Sequence, residues 1–128
     1  MTKILVAADA QWVREHVRAA FVAPGQEVVE VTRGQDVRDA VAREEPDLVV
    51  LDLQIGNMGG IAVAHDLRLE ESAGRVPRQR ILLLLDREAD RFLSHRAGVN
   101  EELVKPVDAG ILRRAAKPLL AASAATPS

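Results

Sequence analysis

Residues 47–60 read DLVVLDLQIGNMGG. Four consecutive apolar residues, Leu48 to Leu51, lie between two aspartates, and a loop with three glycines follows. An unbroken apolar run rich in Val and Leu is the pattern of a strand buried on both faces, not of one with a solvated side. A carboxylate where such a strand runs out is either a turn residue accepting backbone N–H bonds or the reason the strand exists.

Similar runs recur at Ile4 to Ala8, Val28 to Val31 and Ile81 to Leu85, with a short one at Leu103-Val104. Segments with helical spacing lie between them. Val13, Val17, Ala20 and Phe21 share a helix face, as do Val37, Ala40 and Val41; Phe92 and Leu93, with Ala89 and Ala97, form a shorter stripe. Ile111, Leu112, Ala115, Ala116, Leu119 and Leu120 form the longest. Gly25, Gly34, Pro46, Gly59-Gly60, Gly98 and Pro106 punctuate the joins. Five strand–helix units in succession predict an open parallel sheet with helices on both faces. The polar stretch from Arg68 to Arg80 is expected to be a surface loop after the third helix. Residues 1–120 read as one domain, and residues 121–128 (AASAATPS) as a disordered tail.

Bulk properties exclude several classes of function. At 128 residues the chain suits a single core. It has no cysteine, so disulfide frameworks and thiolate metal sites are ruled out. A net charge of −2 gives no electrostatic footprint for nucleic acid. No apolar run approaches the roughly 18 residues of a membrane span, and the N-terminus lacks a signal-peptide pattern. The chain reads as a soluble, cytoplasmic protein.

In open α/β sheets the ligand crevice lies beyond the carboxyl ends of the strands. The residues ending strands one, three and five are Asp9, Asp52 and Lys105. Two acids and a lysine converging on one rim suggest a small polar site. Neighbouring carboxylates repel unless a cation lies between them, and a hard divalent ion such as Mg²⁺, which keeps several waters, fits that role.

With ILVAAD at 4–9, PDLVVLDLQIGNMGG at 46–60 and LVKP at 103–106, the chain resembles the receiver domain of bacterial two-component response regulators over residues 2–120. The resemblance implies a flavodoxin-like, doubly wound five-stranded parallel sheet of order 2-1-3-4-5 with five helices. It implies that Asp52 accepts a phosphoryl group from a histidine kinase or phosphotransfer protein. Asp9, Asp52 and the main-chain carbonyl of Gln54 then hold Mg²⁺, while Lys105 pairs with the phosphoryl oxygens and Pro106 follows through a cis peptide bond. A metal and an ammonium at close range screen the charges that oppose attack of a carboxylate on phosphorus.

Three positions depart from the family pattern. Ala8 replaces the first of two acids at the end of strand one, which implies weaker Mg²⁺ binding. Leu85, or Asp86 if the strand is one residue longer, stands where the family carries a threonine or serine. Glu102 replaces an aromatic three residues before the lysine. The family couples that hydroxyl to that aromatic, so the usual relay lacks its parts and the domain reads as an atypical receiver.

Bland readings accompany the sharp ones. Asp9 directly precedes a helix expected from residue 10 and suits an N-cap. Gly59 and Gly60 suit a tight turn into helix three. His16, His65 and His95 fall in three different helices and read as surface residues; Trp12 reads as half exposed beside the acidic rim, packed on a helix or free for a partner. The basic run Arg75 to Arg80 reads as a solvated loop.

The leading function is a stand-alone receiver, phosphorylated on Asp52 and acting on an unknown downstream protein, with no DNA or membrane partner; a homodimer through the last helix is compatible with the family. The alternative is a phosphorylation-independent pseudo-receiver serving as an interaction scaffold, which Ala8, Leu85 and Glu102 favour. An enzyme is not expected. Gln54 cannot act as the general acid that an aspartate-based phosphohydrolase needs two residues after its nucleophile, and Ala8-Asp9-Ala10 would repel a flavin phosphate.

Overall fold

The computed structural model describes residues 1–56 and 58–125, with side chains to residue 122. Strands β1 (Thr2–Ala7), β2 (Gln26–Val31), β3 (Leu48–Asp52), β6 (Ile81–Leu85) and β7 (Glu101–Val104) form one parallel sheet in the order β2-β1-β3-β6-β7. Counting only these five, the order is 2-1-3-4-5 in a flavodoxin-like fold, as expected. The two-residue strands β4 (Gln54–Ile55) and β5 (Met58–Gly59) form a small antiparallel ladder just after β3. Among the described residues four α-helices connect the strands, α1 (Gln11–Ala20), α2 (Val37–Glu44), α3 (Gly60–Ser72) and α4 (Arg91–Arg96), and a fifth, α5 (Ala109–Ala125), follows β7.

The apolar runs account for the layering. Every residue of β3 and β6 is buried, because both strands lie inside the sheet with helices on either face. Alternation along them feeds two cores. Val49, Leu51, Leu83 and Leu85 pack with Val37, Val41, Val63 and Leu67 on one side. Val50, Leu82 and Leu84 pack with Val13, Val17, Phe21, Leu112 and Ala116 on the other. The edge strand β2 is only partly covered, which explains the charged residues inside it.

Four expectations are revised. Helix α3 extends through Arg68 to Ser72, so the connection to β6 starts only after it. Its last turns hold because buried Glu70 accepts hydrogen bonds from Arg38 and Arg75, which a polar-loop reading of this stretch misses. Phe92 and Leu93 do not face the core: they are 67% and 50% exposed, and α4 buries Ser94 instead. Helix α5 runs to Ala125, taking in five of the residues read as a tail, since alanine is the strongest helix former; residues 126–128 lie outside the described residues. Asp9 does not cap α1, whose N-cap residue is Ala10. Among the described residues, no helix is long and apolar enough to cross a membrane.

Candidate functional site

β1 and β3 are in register from Ile4↔Leu48 to Ala7↔Leu51, which brings Ala8 and Asp52 to the same height at the carboxyl edge of the sheet. Asp52 ends β3 and is 2% exposed. Its Oδ1 accepts the Leu53 N–H at 2.9 Å and an ion-paired hydrogen bond from the Lys105 ammonium. Lys105 follows β7 and precedes a cis peptide bond to Pro106. Its backbone N–H donates to the Leu85 carbonyl at 2.8 Å, which fixes where its side chain starts. Asp52 and Lys105, distant in sequence, therefore meet at the rim as expected.

The same ammonium donates to Asp86 Oδ1 at 2.9 Å and lies 5.7 Å from the centre of the Trp12 ring. Of the two residues weighed for the end of the fourth strand, Leu85 is fully buried in the core beside Val63 and Leu67, while Asp86 is the one on the rim. The register explains it. Asp52 pairs with Leu84, and successive side chains of a strand alternate faces, so Leu85 turns to the opposite core and Asp86 returns toward Asp52. A helix stripe or strand run carries no signal for this choice, since it depends on where the strand ends to within one residue.

Burial pushes the Asp52 carboxyl above its ordinary value, outweighing Lys105 and the Leu53 N–H, while the charge of Asp86 pushes in the same direction as burial. At Lys105 burial acts against the charged form, but the hydrogen bonds and charges of Asp52 and Asp86 outweigh it and raise its pKa.

Asp9 is exposed, and among the described residues its carboxylate makes no hydrogen bond or ion pair, so it is left available at the rim. Its backbone N–H donates to the Gln54 carbonyl at 3.1 Å, pinning it to the segment that follows Asp52. The Gln54 side chain is exposed; only its carbonyl turns inward to the loop. Arg14 NH1 holds this loop from below through the carbonyls of Ala8 (2.9 Å) and Asp9 (2.8 Å), with its Nε on Glu30 at 3.2 Å. Sequence reading missed Arg14, although its place next to Val13, on the flank of the buried stripe of α1, offered a signal. Ala8 is fully buried.

The donors match Mg²⁺ in kind. Two carboxylates and a main-chain carbonyl are hard oxygen ligands of the type it takes alongside several waters. Among the described residues, however, no group of three His, Cys, Asp or Glu able to hold a metal is assembled. That agrees with Ala8, a methyl group buried in the core at the end of β1, which supplies no oxygen to the rim.

Away from the rim, Glu102 is buried with its carboxylate held from α4: Ser94 Oγ donates to Oε2 at 3.0 Å, His95 Nε2 is 2.6 Å from Oε1 and Arg91 NH1 is 3.2 Å from it. His95 is thus not an idle surface residue. His16 is engaged too, with Nδ1 3.3 Å from the Val107 carbonyl and its ring edge-on to Trp12 at 5.5 Å. Trp12 is 51% exposed and packs on His16 and Lys105.

An open parallel sheet whose central strand ends in a buried aspartate, ion-paired to a lysine beyond the last strand, defines a flavodoxin-like protein with an acidic site at its carboxyl edge. The chain belongs to the response regulator receiver domain family, whose model matches residues 4–117. It is 30% identical over 113 residues to the KDP operon transcriptional regulatory protein KdpE of Escherichia coli, covering 88% of this chain and 48% of that protein. The chain thus spans about half the length of that relative. It is 26% identical over 121 residues to protein PilH of Pseudomonas aeruginosa, covering 94% of this chain and 99% of PilH. The receiver domain of sensor histidine kinase PA1611 from Pseudomonas aeruginosa superposes with a TM-score of 0.79 at 23% identity, over 94% of this chain and 98% of that one; it was crystallised with magnesium coordinated in its active-site cleft.

Proposed function

We propose that this receiver domain accepts a phosphoryl group on Asp52 from a histidine kinase or phosphotransfer protein, and signals in the cytoplasm by contacting a downstream protein. The observation that carries the reading is the ion pair between the Lys105 ammonium and the Asp52 carboxylate at the carboxyl edge of the sheet. In this reading Asp9, Asp52 and the Gln54 carbonyl hold Mg²⁺, which when bound supplies charge neutralisation for the incoming phosphoryl oxygens. Asp52 supplies the attacking oxygen, and the N–H of Leu53 orients it. Lys105 turns its ammonium from the carboxylate to the phosphoryl oxygens as they arrive. The loop carrying Asp9 is held in place meanwhile by Arg14.

The test is incubation with Mg²⁺ and acetyl phosphate followed by intact mass. The native protein gains one phosphoryl group, and Asp52→Asn gains none. A native mass that never rises, with the metal and donor in excess, defeats the reading.

A second reading, a pseudo-receiver that binds its partner regardless of phosphate, draws support from Glu102. Its three donors on α4 tie that helix to β7 through side chains of this chain alone. Partner affinity equal for the native protein and Asp52→Asn, before and after acetyl phosphate, favours this second reading.

A further inference from the structure

The charge balance around Lys105 points to a role for Asp86. Lys105 Nζ donates to Asp86 Oδ1 at 2.9 Å and to Asp52 Oδ1, and the Trp12 ring lies 5.7 Å away. One ammonium thus serves two carboxylates. The other cations nearby are committed elsewhere: Arg14 to the carbonyls of Ala8 and Asp9 and to Glu30, and Arg87 to Asp90 at 3.2 Å. Asp86 stands two residues beyond Leu84, the register partner of Asp52, on the same side of the strand.

We propose that Asp86 is a competing anion for Lys105 that limits both the formation and the lifetime of a phosphoryl adduct on Asp52. The proposal rests on Asp52 being the acceptor. When an Asp52 oxygen attacks the phosphorus of acetyl phosphate, a new P–O bond forms, the P–O bond to acetate breaks and acetate leaves with the electron pair. The adduct brings negative charge to a position already facing the Asp86 carboxylate across one shared cation. Like charges at that range repel strongly in a partly wet site. Lys105 must release Asp86 to follow the phosphoryl oxygens. Until it does, the phosphoryl oxygens and the Asp86 carboxylate repel across the shared cation, and hydrolysis relieves that repulsion: water attacks phosphorus, the Asp52 O–P bond breaks, and carboxylate and inorganic phosphate are returned, with a proton lost to solvent.

The experiment compares the native protein with Asp86→Asn and Asp86→Ser. Both variants keep a polar group at a side chain that is 42% exposed, and thermal melts verify that each is folded. With Mg²⁺ and acetyl phosphate, intact mass follows uptake; after removal of the donor it follows decay. Both variants are expected to take up phosphoryl faster and to hold it about tenfold longer, as for loss of one like charge at close range. That advantage shrinks in high salt, which screens charge but leaves packing alone. Equal uptake and equal lifetimes in all three proteins overturn the proposal and leave Asp52 as acceptor. Slower uptake in the variants also overturns it and makes Asp86 a metal ligand. No uptake in any of the three, all folded, removes the acceptor reading and this proposal with it.

Discussion

Ser94 Oγ donates a 3.0 Å hydrogen bond to Glu102 Oε2, and both residues are buried. The second carboxylate oxygen is taken by His95 and Arg91 from the same helix. A carboxylate at this depth persists only because its oxygens are satisfied. Glu102 thereby fastens α4, a helix of six residues, too short to be stable by itself. Ser94→Ala is expected to cost about 1 kcal/mol and Glu102→Ala about 1–3 kcal/mol. The double variant should cost less than their sum by more than about 0.5 kcal/mol, because both remove one hydrogen bond. Urea unfolding of the three proteins checks this; strictly additive losses would mean that the bond contributes nothing.

Asp52 makes the opposite kind of prediction. Burial raises its pKa in the fold above the ordinary value of 3.8 in spite of Lys105, so the folded state binds this proton more tightly than the unfolded chain. The stabilisation from that proton is full below the unfolded value and is lost as pH rises through the folded one. At neutral pH the ionised carboxylate therefore works against the fold. Asp52→Asn is expected to be more stable than the native protein at neutral pH, since the variant removes the buried charge while Lys105 keeps Asp86 as its partner, with the gap narrowing as pH falls toward 3.8. Urea midpoints across that window test it. A variant less stable at neutral pH would show that the pair with Lys105 outweighs burial.

The sheet was readable because its evidence is local and repetitive. Leu48 to Leu51 and Ile81 to Leu85 can bury unbroken apolar runs only between two helical layers. Asp52 and Lys105 were readable because each stands where such a run stops. Phe92 and Leu93 misled for a physical reason. On so short a helix two adjacent apolar residues do not determine which face is inward, and the polar cluster of Ser94, His95 and Arg91 on Glu102 decides it instead. Asp86 depended on a strand end that sequence fixes only to within a residue. Gly60 depended on a tertiary contact with no sequence signal at all.

Trp12 is the single tryptophan of the chain and sits over the Lys105 ammonium at 5.7 Å. A cation near the ring face contributes roughly 0.5–1 kcal/mol at exposed sites, so Trp12→Ala should loosen Lys105 while costing little stability. The emission of Trp12 should therefore report on the lysine. Lys105→Met is expected to change it, whereas Lys3→Met, at the opposite end of β1 and paired with Glu44, should not. Mg²⁺ with acetyl phosphate should change it in the native protein but not in Asp52→Asn. Identical spectra for the native protein and Lys105→Met would mean that the ring does not sense the ammonium.

Gly60 opens α3, and a Cβ there would lie 2.1 Å from the carbonyl oxygen of Asp52 and 2.9 Å from Leu83 Cδ1. The first of these is backbone and cannot swing away, so the helix start and the acidic strand end must separate to admit one methyl group. The residue is glycine because α3 is seated directly against the carbonyl of the proposed acceptor; Gly59, with φ −75°, needs no such freedom, since among the described residues a Cβ there meets only the Leu53 carbonyl at 3.5 Å. Gly60→Ala is expected to cost roughly 2–3 kcal/mol through forced backbone shifts and to lower phosphoryl uptake at Asp52. Gly59→Ala should cost no more than about 1 kcal/mol as a change at the helix N-cap and leave uptake intact. Chemical denaturation and intact mass on both variants decide it: equal losses in the two would place the constraint in the turn and not in the approach of α3 to Asp52.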